Sequence, residues 1–224
     1  MTALVNILSL NVGGSSNLAG LNMSISMMMF DVIFLQEVNS TQCQVDSLVV
    51  RHGYSSLVNI DNEDINKPGT ALIWKKNFPL IGAVNLVSCR LQMANIGPYK
   101  IFNCYAPSGS ENRFARNQFY GEEIFRYFKL HSDSVKLLAG DHNSVLKKED
   151  IENGTGFSMK YCEALNTLVK CERLVDCYFL FPHQTQEYTF HRPGKAKSRL
   201  DRYSVFQVTF YLLNTCRHYQ TILE

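Results

Sequence analysis

The chain has 224 residues, 46% hydrophobic and 19% charged, ordinary values for a globular protein able to bury a sizeable core. A formal net charge of +2 excludes binding to nucleic acid by bulk charge, so any basic surface must be local. No low-complexity tract and no repeat of intermediate period is present, and a single domain over residues 1–224 is expected.

The chain opens MTALVNILSLNVGG. It has no basic leader, and Asn and Ser interrupt its apolar stretch, which does not fit a signal peptide. The MSISMMMF stretch is too short to span a membrane. Seven cysteines are scattered singly, without a CxxC pair, so reduced thiols in a soluble intracellular protein are the simplest reading and zinc has little support.

Short apolar runs at 4–10, 31–36, 70–74, 78–87, 99–105, 135–140 and 188–190 have the length and the β-branched and aromatic content of strands. Residues 112–130 place Phe114, Phe119, Ile124, Phe125 and Phe128 near helical spacing, and residues 158–175 do the same with Tyr161, Leu165, Leu168 and Val169. Many strands with a few helices among them imply an α/β protein with sheets packed on each other and helices outside.

The strand ends are distinctive. Asn11 follows the first run, Glu37 the second, Tyr105 the run at 99–105, and Asp141 and Asn143 the run at 135–140. After YTF come the basic loop HRPGKAKSR and then Asp201, and His218 stands near the end of the sequence. Strand ends are where α/β enzymes place catalytic groups, because the sheet fixes them. Taken singly, each has an ordinary alternative. AGDHNSV has the residues of a turn. Asp201, flanked by Arg199 and Arg202, suits a surface ion pair.

Together they suit phosphodiester hydrolysis, which needs a hard cation, a group to activate water, and donors for the transition-state oxygens. Glu37 could give a carboxylate oxygen to Mg²⁺. Asp141 could orient or deprotonate water, His218 could do acid–base work, and Asp201 could hold His218 in one tautomer. Asn11, Asn143 and Tyr105 could donate to phosphate oxygens.

The motifs LNVGG, FLQEV, GTALIW, YAPSG, GDHN and QEYTFHRPGKAKSRLDR, with the final His218, occur in order along nearly the whole chain. This pattern resembles the endonuclease–exonuclease–phosphatase (DNase I-like) superfamily. Within it, the chain is most similar to the endonuclease domain of non-LTR (LINE-type) retrotransposons. The resemblance implies a four-layered α/β sandwich of two packed mixed β-sheets flanked by helices. It implies Mg²⁺-dependent nicking of double-stranded DNA, with Mn²⁺ as a possible substitute, leaving a 3′-hydroxyl that primes reverse transcription. By this resemblance Asn11 and Glu37 lie on the metal side, Tyr105 is at the phosphate, Asp141 and Asn143 belong to the GDxN motif, and Asp201 supports the catalytic His218. Thr189 and Ser198 match positions that contact the DNA backbone. A nuclear monomer fused to or working with a reverse transcriptase, with no membrane partner, is implied as well.

The chain departs from the family pattern in four places. Arg217 stands where an acid is usual, the link from Asp201 to Arg217 is short for the family, His142 stands where an aromatic is common, and LNVGG lacks a second Asn. The change at 217 bears on activity, because a cation there could repel the metal or pair with phosphate. The basic loop carries Arg192, Lys195, Lys197 and Arg199 on a turn, a pattern suited to phosphates and a narrow minor groove, with Arg113 and Arg116 as further candidates. Two other readings stand beside the LINE-type nuclease. One is an abasic-site endonuclease of the same fold. The other is a DNA-binding module whose site Arg217 disables.

Overall fold

The computed structural model describes residues 5–14, 29–64, 67–154, 156–158, 160, 162–180, 187–191 and 196–206. Its contacts divide them into two compact units, one up to Tyr105 and one from Ala106 onward. Both are α/β. Among the described residues no helix is long and apolar enough to cross a membrane, and no disulfide joins the described cysteines.

In the first unit, β1 (Ile7–Asn11) runs parallel to β2 (Val32–Val38). β4 (Gly69–Lys75) lies antiparallel to β2 and to β3 (Tyr54–Asn59), giving a mixed sheet of order β1-β2-β4-β3. Helix α1 (Gln42–Val49) starts at a capping box. Thr41 Oγ1 accepts from the Gln44 amide, and the Gln44 side chain accepts from the Thr41 amide. The helix buries Val45 and Val49 in a core with Leu8, Leu10, Ile33, Leu35, Ala71 and Ile73.

The other face of β2 and β4 meets an antiparallel meander of β5 (Leu80–Val87), β6 (Leu91–Ile96) and β7 (Tyr99–Tyr105). The β6–β7 turn is two residues, Gly97-Pro98, with Gly97 at φ +55, as a tight hairpin of this kind requires. An amide network lies between the two layers. Asn103 Nδ2 donates to Leu35 O, Ala71 O and Gln92 Oε1, and Gln36 Nε2 donates to Asn103 Oδ1 and Ser9 Oγ. Buried amides are costly unless hydrogen-bonded, and these bonds tie β2 into register with its neighbours.

In the second unit, β10 (Asp201–Phe206) lies antiparallel to both β8 (Val135–Asp141) and β9 (Leu174–Asp176). Helix α2 runs through Arg113–Gln118, a π-helical stretch Phe119–Ile124, and Phe125–Leu130. Helix α3 (Glu163–Cys171) packs on the π-helical stretch and buries Leu165 and Leu168. The π turn shifts the helical phase. Phe119, Tyr120, Ile124 and Phe128 are buried, whereas Phe114, expected on the same face, is 81% exposed.

Candidate active site

In the first unit, three expected residues come together. Asn11 ends β1 directly beside Gln36 of β2. Glu37 sits at a bulge, where the pairing of β2 with β4 skips from Gln36 to Val38. Its φ is +58, a conformation that costs a non-glycine residue about 1–3 kcal/mol and is kept where structure overrides local preference. Opposite the bulge stands Gly69, where a Cβ would lie 2.1 Å from the Asn59 carbonyl, so only glycine lets the strands approach.

The Glu37 carboxylate is oriented through one oxygen. Asn11 Nδ2 donates to Oε1 at 2.9 Å, and the Tyr105 hydroxyl donates to the same atom at a longer 3.4 Å. Neither bond uses Oε2. Asn11 Oδ1 accepts from the Gly13 amide at 3.0 Å, which orients the side chain with its Nδ2 on Glu37. Tyr105 is buried, its amide bonded to Arg90 O, and the Arg90 guanidinium lies 4.6 Å from its ring centroid. Arg90 carries no signal in the sequence.

A hard divalent cation suits this donor set. Mg²⁺ binds through one or two carboxylates and keeps waters for the rest, and Glu37 offers an oriented carboxylate with an oxygen outside the hydrogen bonds described. Among the described residues no group of three or more His, Cys, Asp or Glu could hold a metal by itself.

In the second unit, the GDHN segment is both a turn and a cluster of polar groups. Asp141 ends β8, and its Oδ1 accepts from the Asn143 amide at 2.8 Å. Asn143 has φ +46, and its Nδ2 donates to Ala106 O at 2.9 Å, while the Ala106 amide donates to Asp141 O at 2.9 Å. The residue after Tyr105 is thus clamped to the segment.

Asp201 faces Asp141 directly across the β8–β10 ladder. Its Oδ1 is buried without a hydrogen-bond partner among the described groups. Burial first, and the Asp141 carboxylate second, push the Asp201 carboxyl up to about 8. Thr189 Oγ1 accepts from the Leu200 and Asp201 amides at 2.9 and 3.1 Å. That hydroxyl, expected at the DNA backbone, holds the start of β10.

The basic loop needs one clear correction. Arg199, expected at DNA, is 1% exposed. Its Nη2 lies 2.6 Å from Asp150 and 2.8 Å from Asp176, and Arg202 pairs with the same two acids. Burial works against the charge of Arg199, but Asp176 and Asp150 more than offset it and raise its pKa. Among the described ion pairs, neither flanking arginine is bonded to Asp201. Arg116 is corrected likewise. It is buried, and its Nη1 donates to Pro107 O and Gly109 O, which fixes the loop after Tyr105.

Lys197 is exposed, with Glu152 at 3.6 Å, and Arg113 is exposed at the start of α2. Ser198 is half-buried, with its backbone bridged to Phe190 and Ile151. Arg192, Lys195 and His218, together with Arg217, lie outside the described residues.

No family model matches the chain, and no curated protein matches it. Among solved structures, an AP endonuclease from Archaeoglobus fulgidus superposes with a TM-score of 0.76 at 18% identity, over 93% of this chain and 89% of that one. The fold is DNase I-like. The α/β architecture of two β-sheets flanked by helices is therefore the expected one.

Proposed function

We propose that the chain is a magnesium-dependent DNA endonuclease that nicks one strand and leaves a 3′-hydroxyl, used in LINE-type retrotransposition to prime reverse transcription. The observation that carries the reading is the Glu37 carboxylate, held at a strained bulge by Asn11 and Tyr105 on a fold shared with a nuclease. Such strain at a strand end is characteristic of sites kept for chemistry. Glu37 would hold Mg²⁺, or Mn²⁺ in its place, which supplies counter-charge for the leaving oxygen. Asp141, aimed by the Asn143 amide, takes the proton of the attacking water. Asn143 donates toward a phosphate oxygen, and Tyr105 does so when its hydroxyl turns from Glu37 to the substrate. His218, supported by Asp201, does acid–base work or steadies the phosphate. Exposed Lys197 and Arg113, with Arg192 and Lys195, meet the phosphates of double-stranded DNA. The protein acts in the nucleus as a monomer with a reverse transcriptase and needs no membrane.

A second reading is favoured by the Archaeoglobus neighbour, which is an AP endonuclease. Synthetic duplexes with and without one abasic residue separate the two. Nicking of intact duplex, with 3′-hydroxyl ends that a polymerase extends, is the expected result. Cleavage confined to the abasic duplex would support the repair reading. Salt-sensitive binding with no cleavage of either duplex would support the disabled module.

A further inference from the structure

His142 stands inside the GDHN segment, fully buried, where a polar ring is costly. The residue that meets it is Tyr120, 1% exposed and brought inward by the π-helical stretch of α2. The Tyr120 hydroxyl lies 3.1 Å from His142 Nδ1 and 3.1 Å from the His142 carbonyl oxygen. The two rings are parallel to within 5°. A phenol has one proton to give and can accept as well. Donated to the carbonyl, that proton leaves the hydroxyl to accept from Nδ1–H, which fixes one neutral tautomer.

The backbone of the segment is then held on all sides. The His142 amide donates to Leu200 O, and Asp141 O accepts from Ala106. The His142 carbonyl takes the Tyr120 hydroxyl, the one side-chain donor described for these backbone groups. This matters because the next residue, Asn143, has φ +46, a left-handed conformation that asparagine tolerates and the bonds around it select. Burial, then Arg202 and Arg199, hold the imidazole pKa well below its ordinary value, in keeping with a neutral ring.

We propose that Tyr120 is a positioning residue that acts through His142 to hold Asp141 and Asn143 in place. The assignment of catalysis to those two residues rests on the nuclease reading, but the positioning does not.

The test is Tyr120→Phe, which keeps the ring and removes both hydrogen bonds. Amide hydrogen exchange at Asn143 should accelerate about tenfold or more, the equivalent of one net hydrogen bond, while exchange in β1 and β2 is unchanged. Imidazole ¹⁵N shifts of the native chain should show the Nδ1–H tautomer, with the preference lost in the variant. Nicking should lose about tenfold in kcat with unchanged DNA affinity, since the variant removes orientation and no DNA contact. Unchanged exchange at Asn143 in the variant, or an Nε2–H tautomer in the native chain, would overturn the proposal. Absence of nicking by the native chain would count against the nuclease reading alone, and exchange and tautomer would still decide the role of Tyr120.

Discussion

Arg202→Met should destabilise the protein far more than its place just after a basic loop suggests. Arg202 is fully buried and pairs with Asp150, and its Nε lies 3.3 Å from Asp176. It also donates to Ser144 O at 2.6 Å, Arg199 O at 3.0 Å and Leu200 O at 3.2 Å. Methionine keeps much of the volume, so the loss is electrostatic. It leaves a carboxylate at 1% exposure with Arg199 as its remaining charged partner, and three carbonyls lose a donor. Breaking a buried pair on one side costs about 3–5 kcal/mol. For a chain of this size that is a fall of roughly 10 °C in Tm. The sign with pH follows from Asp150. Burial alone would raise its pKa, but Arg202, Arg199 and the Leu146 and Lys147 amides lower it below 3.8. Its contribution is therefore complete above pH 3.8 and is lost as pH falls through the depressed folded value. The deficit of the variant should be full at pH 7 and shrink in acid. Thermal unfolding followed by circular dichroism at pH 7 and pH 3.5 measures both. A shift under 2 °C at pH 7 would refute the view that this network organises the second unit.

Asp201→Asn should gain stability at alkaline pH. The Asp201 carboxyl keeps its proton to about 8 when folded, whereas the unfolded chain releases it near 3.8. Stability of the native chain therefore falls as pH rises from about 4 to 8, and the variant should escape this by 1 kcal/mol or more at pH 8, roughly 2–4 °C in Tm. Denaturant titrations at pH 4.5 and 8 check it; equal midpoints for the two chains at both pH values would contradict it. His142→Phe works at the acid end. The folded imidazole resists protonation, so the native chain loses up to about 1.4 kcal/mol per pH unit below the ordinary value of 6.5, and the variant should not show this slope. Glu37→Gln removes the carboxylate and keeps the shape, and Mn²⁺ binding followed by calorimetry should weaken at least tenfold. Gly69→Ala would collide with the Asn59 carbonyl and should cost about 2 kcal/mol or more, read from urea unfolding.

The strands most visible in the sequence are the apolar ones. β7 has the bounds read from its apolar run, and β2, β4 and β8 fall within a residue or two of theirs. β6 and β10 escaped because polar residues interrupt their buried positions. Gln92 of β6 belongs to the amide network, and Arg202 of β10 is neutralised by acids far away in sequence. Hydrophobic patterning cannot register a buried amide or guanidinium whose partner is tertiary. The same limit governs Arg199, whose side-chain partner Asp150 lies 49 residues away. Phe114 was misplaced because one π-helical stretch changes the phase of the helix. The places of Asn11, Glu37, Tyr105, Asp141 and Asn143 at or just past strand ends were legible because the strand ends themselves were visible. Tyr120, Arg90 and the acids of the buried network act through other residues and left no local mark.

Relaxation of supercoiled plasmid by the native chain and by Asp141→Ala, each in Mg²⁺ and in EDTA, tests the central claim most directly. The nuclease reading predicts open circles from the native chain in Mg²⁺, none in EDTA, and loss of at least about a hundredfold in the variant. Plasmid left supercoiled by the native chain in Mg²⁺, or nicked equally by the variant, would contradict it.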